Sequence, residues 1–329
     1  MDRRTFLTTT FGAVATPALA QVPGVGRSAR IGILTVRVPG VESALTQALL
    51  QGLRDHGYVE GRNLVLDHPD AEGRLDRLPE LAAEMVRKGV DLILVIGPSP
   101  LDPARNATKS IPIVMVASSA DPVREGVAAS LARPGGNVTG LTYAEPDRFK
   151  KQLELLKVLA PRVARVSVLW DFEIDIYRRD WEEPLTEAAR VLAMTIQDPV
   201  RVSSAEDLPR AFDTMKRRQV DAFIAASGAF LLPARKQVGE LALQARLPAI
   251  AAFKEFPQAG LLISYGPDLA DINRLAGGYV SRILKGAKPG DLPIELPSKF
   301  DLAINLRTAK ALGLAVDQTL QLRATELYH

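Results

Sequence analysis

The chain has 329 residues, a formal net charge of +3, 47% hydrophobic and 5% aromatic residues, three histidines and no cysteine. Without cysteine there is no disulfide, no zinc–thiolate site and no thiol nucleophile. The nearly balanced charge, with no run of five or six like charges, offers nothing for a nucleic acid to bind. The length suits two α/β lobes of ordinary size better than one.

The N-terminus reads as an export signal. Asp2-Arg3-Arg4-Thr5-Phe6-Leu7 is a charged segment with paired arginines, similar to a twin-arginine signal. A short apolar stretch from Thr8 to Pro17 follows, and Ala18-Leu19-Ala20 gives a small-x-small cleavage pattern before Gln21. The apolar stretch is too short to span a bilayer. Residues 1–20 are therefore expected to be removed. Cleavage would leave 39 basic against 37 acidic residues, a net +2. No cysteine follows the cleavage site, so a lipid-anchored product is not expected. The mature protein is expected in the periplasm.

In chain order, Arg30 to Thr35 predicts a buried strand, and apolar residues from Val41 to Leu53 repeat at helical spacing until Gly57. Asn63 to His68 predicts a strand, Leu75 to Val86 a helix, and Asp91 to Ile96 an apolar strand ending at Gly97-Pro98-Ser99-Pro100. A short helix and the strand Ile113 to Ala117 follow. Strands buried on both faces, alternating with amphipathic helices, predict a parallel sheet covered on each side. Leu131 to Thr142 then combines turn chemistry at Pro134-Gly135-Gly136 with the β-branched pair Val138-Thr139, and it marks the end of the first set of units. The alternation restarts after Gly140. A helix carrying Phe149, Leu153 and Leu156 leads into strands at Arg165–Trp170, Met194–Val200, Ala222–Ala226, Ala249–Ala252 and Leu261–Tyr265. The helices between them are expected at Pro184–Leu192, Ala205–Arg218 and Leu231–Ala245. A long helix through Leu269 and Ile283 closes at Lys285-Gly286. Pro289 to Pro297 reads as a linker, followed by the strand Phe300–Asn305 and the helix Thr308–Leu312.

In an open α/β sheet, ligands sit at the carboxyl ends of the strands. The loops there hold Thr35, Ser99, Ser119, Asp121, Trp170, Asp171, Phe230 and Glu255. Hydroxyls and helix N-terminal amides suit a carboxylate, and aspartate or glutamate suits an ammonium group. Each residue also has a plainer explanation. Asp121-Pro122 is a good N-cap followed by proline at the first helical position. Ser99 can be a turn residue, Trp170 a core residue, and Glu255 a solvated charge.

Enzyme signatures fail on position or are missing. Gly24-Val25-Gly26-Arg27-Ser28-Ala29 fits a dinucleotide-binding string but precedes the first strand instead of following it. There is no Gly-x-Ser-x-Gly elbow and no phosphate loop. His56 and His68 have no evident nucleophile to serve. No metal site and no cofactor are expected.

Several stretches carry a family resemblance: Gly52-Leu53-Arg54-Asp55-His56-Gly57-Tyr58-Val59-Glu60-Gly61-Arg62-Asn63, Ala120-Asp121-Pro122-Val123, and Leu131 to Thr142. Others are Ser264-Tyr265-Gly266, Ile283-Leu284-Lys285-Gly286, and Lys299-Phe300 through Ile304-Asn305-Leu306 to Ala309-Lys310-Ala311-Leu312-Gly313. Together they span residues 30–315 in order. The chain resembles the ABC transporter substrate-binding protein family, in particular its tryptophan/tyrosine-binding, TrpX-like group.

The resemblance implies a type I periplasmic-binding fold: two doubly wound parallel-sheet lobes joined by three crossovers. The implied lobes are residues 30–140 with 266–290, and 141–265 with 291–329. Gly140 and Gly266 would lie in the hinge, with Tyr265 contacting ligand there. The implied function is capture of a small polar solute, an amino acid or aromatic acid, by lobe closure and its delivery to a membrane permease. A monomer is expected. The sequence departs from the family pattern at the cleft, where Asp171-Phe172 replaces Asn-Pro. Ser227-Gly228-Ala229-Phe230 also lacks an Asp-Pro pair, and the tyrosine before Glu255-Phe256 is missing. The alternative is a periplasmic hydrolase or isomerase using Asp121, Asp171 or Glu255 as acid or base. A sugar-type regulator lobe is a third reading, disfavoured by the export signal and the missing DNA-binding segment.

Overall fold

The computed structural model describes residues 27–36, 42–144, 146–171, 178–226 and 230–329. The expected signal peptide lies outside the described residues. The first sheet is built from β1 (Ala29–Thr35), β2 (Leu64–Asp67), β3 (Leu92–Ile96), β4 (Ile113–Ser118) and β5 (Val138–Thr142). Its spatial order is β2-β1-β3-β4-β5, and every pairing is parallel. The interior strand β4 is buried at all six positions, as a strand covered on both faces must be. Helix α1 (Glu42–Asp55) lies on one face, and α2 (Leu78–Arg87) with α3 (Leu101–Ala107) lies on the other.

The chain then crosses to a second sheet. Helix α4 (Pro146–Leu159) precedes β6 (Arg165–Asp171), α5 (Arg178–Val191), β7 (Thr195–Ile196), β8 (Val200–Val202), α6 (Asp207–Arg217) and β9 (Ala222–Ala226). After these come α7 (Arg235–Gln244), β10 (Ala249–Ala251), α8 (Glu255–Gln258) and β11 (Ile263–Pro267). The long α9 (Leu269–Leu284) returns to the first lobe and packs on α1. The chain comes back as β12 (Phe300–Asn305), α10 (Leu306–Leu312), α11 (Gln318–Arg323) and β13 (Glu326–Tyr328). The second sheet runs β13-β12-β11-β10-β9-β6-β7, with β8 also on β6. The fold is thus the expected α/β type with three crossovers. One pairing in the second sheet departs from the expected parallel order: β12 runs antiparallel to β11, because the third crossover delivers it from the opposite end.

Local chemistry explains the other departures. The single strand expected over Met194–Val200 is two short pieces that pair with opposite ends of β6. Between them stand Asp198 and Pro199. Proline brings no N–H to a ladder, and the Ser167 hydroxyl donates to the Asp198 carbonyl at 3.1 Å. Helix α5 starts before Pro184, which sits inside it. Helix α11 and strand β13 escaped the sequence reading because both are short.

Helices α1 and α9 meet almost backbone to backbone. A Cβ on Gly52 would lie 2.0 Å from the Arg274 carbonyl oxygen, and one on Gly277 would lie 2.2 Å from the Gly52 carbonyl carbon. Only glycine permits that approach.

The supposed linker at Pro289–Pro297 is stitched to β5. Ile294 N–H donates to Leu131 at 2.7 Å, Glu295 N–H to Gly140 at 2.9 Å, and Thr142 N–H to Glu295 at 3.1 Å. The Thr139 hydroxyl and the Tyr279 hydroxyl donate to the carbonyls of Leu292 and Pro293 at 2.8 and 2.7 Å. The first and third crossovers therefore run side by side. Gly140 and Gly266, expected as hinge residues, sit inside β5 and β11. An added Cβ would lie 2.1 Å from the Met115 carbonyl oxygen at Gly140, and 2.1 Å from that of Ala252 at Gly266. Close strand packing accounts for both glycines without any appeal to motion.

Candidate functional site

The carboxyl ends of the strands in both sheets lie at the crossovers, and the apolar core is continuous there. One buried cluster runs from Ile33, Leu94 and Val116 through Leu141 and Tyr143 to Phe253, Phe256 and Leu169. Tyr143 follows β5 and Phe253 follows β10. Their rings meet edge to face at 5.6 Å, joining the lobes. Tyr143 is tied to the first lobe by its N–H, which donates to the Ser118 carbonyl at 2.8 Å. The Thr142 hydroxyl lies 3.0 Å from both the Ser118 and the Ala120 carbonyl oxygens, which fixes the loop that carries Ser119 and Asp121.

From the first lobe, Thr35 ends β1 opposite Ile96 and is half-buried. Ser99 is buried in the turn before α3. Ser119 is half-buried beyond β4. Asp121 accepts the N–H groups of Val123 and Arg124 at 2.9 and 3.2 Å, so its carboxylate caps the turn that follows. These four residues share the carboxyl edge of β1, β3 and β4.

From the second lobe, Asp171 is fully buried at the end of β6 and accepts the N–H groups of Phe230 and Leu231 at 2.9 and 3.1 Å. It holds the chain just beyond β9 in place, and Phe230 is half-buried against the shared core. Trp170 turns the other way, into the second lobe's own core, edge to face with Trp181 at 5.1 Å. Alternation along β6 explains the split: Trp170 and Asp171 are adjacent, so they point to opposite faces. Tyr265 lies within β11, stacked on Phe300 at 5.5 Å. Glu255 opens α8 half-buried, and burial pushes its carboxyl pKa up. The neighbouring residues 172–177 and 227–229 lie outside the described residues.

Two features here escaped the sequence reading. The first is Arg148, in the opening turn of α4 and only 8% exposed. Its guanidinium lies 4.3 Å from the Phe149 ring centroid and 5.7 Å from that of Tyr143. The second is Lys254, which ion-pairs with Asp268, Asp301 and Glu326 at 3.1, 3.2 and 3.1 Å. Those three carboxylates belong to the second crossover, to the strand after the third, and to the C-terminal strand. Burial works against the charge on Lys254, but the bonds to Asp268, Glu326 and Asp301 prevail and hold its pKa above the ordinary lysine value. A lone arginine or lysine at the start of a helix has no sequence signature. Their importance comes from what the fold brings beside them. Among the described residues no group of three or more His, Asp or Glu side chains is placed to hold a metal ion.

Two lobes joined by three crossovers, with strand ends, hydroxyls and buried charge gathered between them, is the geometry of solute capture. A family model described as "ABC transporter substrate binding protein" matches residues 33–328. The chain belongs to that family. It is 27% identical over 280 residues to a tyrosine-binding protein of Clostridioides difficile (strain R20291), covering 85% of this chain and 79% of that one. A conserved domain protein from Vibrio cholerae superposes with a TM-score of 0.83 at 27% identity, covering 92% of this chain and all of the other. An ABC domain from Streptococcus pneumonia, in complex with L-Trp, superposes with a TM-score of 0.82 at 25% identity, covering 91% and 99%. Members of this family bind solutes and do not turn them over, so Asp121, Asp171 and Glu255 are not an enzyme's acid and base. The capping bonds of Asp121 and Asp171 agree with that.

Proposed function

We propose that this substrate-binding protein captures an amino acid or aromatic acid between its lobes and delivers it to the membrane-embedded permease of an ABC importer. The reading is carried by one observation: the family match spans both lobes, and the carboxyl ends of both sheets converge on the Tyr143–Phe253 contact between them. The tyrosine-binding and L-Trp-bound relatives support an amino-acid ligand. Polar contacts from the first lobe come from Thr35, Ser99, Ser119 and Asp121. Phe230, Glu255 and Tyr265 face the ligand from the second lobe, Asp171 holds Phe230 in place from beneath, and Trp170 backs them from the core. Closure stabilises the ligand-bound state through contacts to both lobes. The charged N-terminal segment and the cleavage pattern before Gln21 support export, cleavage after Ala20 and a periplasmic mature protein, which would act as a monomer.

The test is a thermal-shift and calorimetric screen of the mature chain from Gln21 against amino acids, aromatic acids, sugars and short peptides. A ligand at 100 times its Kd stabilises the folded state by about 2.7 kcal/mol. For a chain of this size that is a shift of several degrees. Saturable binding of an amino acid or aromatic acid supports the proposal, whereas binding of sugars alone would sink it.

A further inference from the structure

We infer that the Lys254–Asp268 ion pair is an interlobe pin that holds the two lobes near each other before solute arrives. The inference deepens the proposed function and rests on it for its effect on affinity. The dipeptide Phe253-Lys254 touches all three crossovers. The Phe253 ring meets Tyr143, which lies just past β5 on the first. The Lys254 ammonium reaches Asp268 on the second at 3.1 Å, and Asp301, the second residue of β12 beyond the third, at 3.2 Å. Glu326 of β13 completes the set at 3.1 Å. Lys254, Asp301 and Glu326 all belong to the second sheet or to the loop that leaves β10. Asp268 alone serves the other lobe, because it opens α9, which packs on α1.

The two oxygens of Asp268 divide between the lobes. Oδ1 accepts the N–H groups of Ala270 and Asp271 at 2.8 and 3.2 Å and so caps α9. Oδ2 accepts from the Lys254 ammonium at 3.1 Å. A second pair crosses the same seam: Lys299 of the third crossover lies 3.8 Å from Asp271 in the first turn of α9. The second-lobe side is braced, so the lysine cannot follow Asp268 when the angle between the lobes changes. Asp301 and Glu326 hold the ammonium from their own strands. Gln152 of α4 donates to the carbonyls of Ala251 and Tyr265 at 3.3 and 2.9 Å, which fixes β10 and β11 where they lead into the hub. Opening the lobes therefore stretches the Lys254–Asp268 bond, whereas Asp301 and Glu326 stay with the lysine. At the rim of the cleft Arg124 and Glu183 lie 3.9 Å apart, so the pin is formed while the lobes are near. Asp268 is thus a positioning residue. It acts on the fraction of molecules poised for capture, which scales the apparent affinity directly.

The experiment compares Asp268→Asn with wild type and with Asp301→Asn, on the full mature chain. Asparagine keeps the cap on α9 and removes the charge. Lys254 retains two carboxylates in either variant, and the melting temperature checks folding; Asp268→Ser, which also caps, replaces Asp268→Asn if that variant does not fold. Small-angle X-ray scattering reads the unliganded radius of gyration, and calorimetry reads binding of L-tryptophan and L-tyrosine. If the inference holds, Asp268→Asn enlarges the unliganded radius of gyration and weakens amino-acid binding about three- to fivefold, the reach of one partly exposed ion pair. Asp301→Asn, which removes a partner from the same lobe, lowers the melting temperature by a similar amount and changes neither readout. An unchanged radius in Asp268→Asn overturns the inference, as does unchanged affinity for an amino acid that wild type binds. An equal enlargement in Asp301→Asn also overturns it, because the hub would then brace the second lobe alone. Should neither amino acid bind wild type, the amino-acid reading loses its support, and the unliganded radius still decides the pin.

Discussion

Leu141 and Glu295 are parallel neighbours, 154 residues apart in sequence and joined as a β-bridge. Glu295 N–H donates to Gly140 and Thr142 N–H to Glu295, so the first and third crossovers form one short two-stranded strap. Any closing motion must bend this strap as a unit. The turn residues Pro134-Gly135-Gly136 lead into this strap, and the Val138–Thr142 half of the same stretch is a buried strand of the first sheet.

The strap gives a sharp prediction at Gly140. Its φ of +133° is open to glycine and strained for other residues, and a Cβ would stand 2.1 Å from the Met115 carbonyl oxygen. Gly140→Ala is expected to destabilise the protein by at least about 2 kcal/mol, combining strain with overpacking. Chemical denaturation of the mature chain checks this. An unchanged midpoint would mean that β4 and β5 separate easily, and would restore a hinge role for Gly140.

Lys254 gives a pH-dependent prediction. A hydrogen bond from Tyr328, reinforced by Lys254 against the effect of burial, holds the Glu326 carboxyl below its ordinary range. At Asp268 burial pushes the pKa up, but the Asp271 N–H and Lys254 outweigh it and leave the carboxyl lowered. A carboxylate with a depressed folded-state pKa contributes stability that is present above its unfolded pKa and lost as pH falls through the folded one. The lysine, shifted upward, contributes below its own unfolded pKa. The hub is therefore at full strength from weakly acid pH to moderately alkaline pH, and fails in strong acid. Lys254→Met should cost about 1–3 kcal/mol at neutral pH, since the groups are partly exposed. The difference from wild type should shrink below the ordinary carboxylate range. Melting curves from pH 3 to 9 test both points, and a pH-independent difference would argue that Lys254 acts by packing alone.

Much of the fold was legible because apolar runs such as Leu92–Ile96 and Ile113–Ser118 are continuous, and the helices between them keep a 3.6-residue period. The pairing of Pro289–Pro297 with β5 was not legible, because a proline-rich stretch gives no periodic signal and its partners lie 150 residues away. The site divided along the same line. Loops at strand ends were placed by topology alone, so Ser119, Asp121 and Asp171 could be picked out. Which side chain turns inward was not: Trp170 and Asp171 are neighbours with opposite destinations. Lys254 owes its surroundings to Asp268, Asp301 and Glu326, from three later elements that a linear reading cannot assemble.

Asp121 separates its two roles by substitution. As a cap alone, Asp121→Ala should cost about 1 kcal/mol of stability and leave solute affinity untouched, while Asp121→Asn should restore the cap. As a ligand contact, both variants should weaken binding of an amino acid and reduce the ligand-induced rise in melting temperature, because asparagine cannot supply the charge. The second pattern is expected. Calorimetry on the two variants decides it, and wild-type affinity in Asp121→Asn would leave only the cap.

Arg124 and Glu183 face each other across the rim of the cleft. Arg124 belongs to the loop after β4 in the first lobe and Glu183 to α5 in the second, and their charged atoms lie 3.9 Å apart. Glu182 and Glu187 line the same gap. Both partners are exposed, so the pair adds little to folding stability. Its effect falls on the interlobe distance instead, because attraction across the gap exists only when the lobes are near. Arg124→Glu places a fourth carboxylate against the three on α5. The unliganded melting temperature should move by less than about 2 °C, a surface-scale effect. Solute affinity should fall several-fold at low ionic strength and recover at high salt, where exposed charges more than a few ångströms apart are screened. Adding Glu183→Arg to Arg124→Glu should restore affinity by inverting the pair. An affinity unaffected by Arg124→Glu at every salt concentration would show that the rim charges have no part in closure.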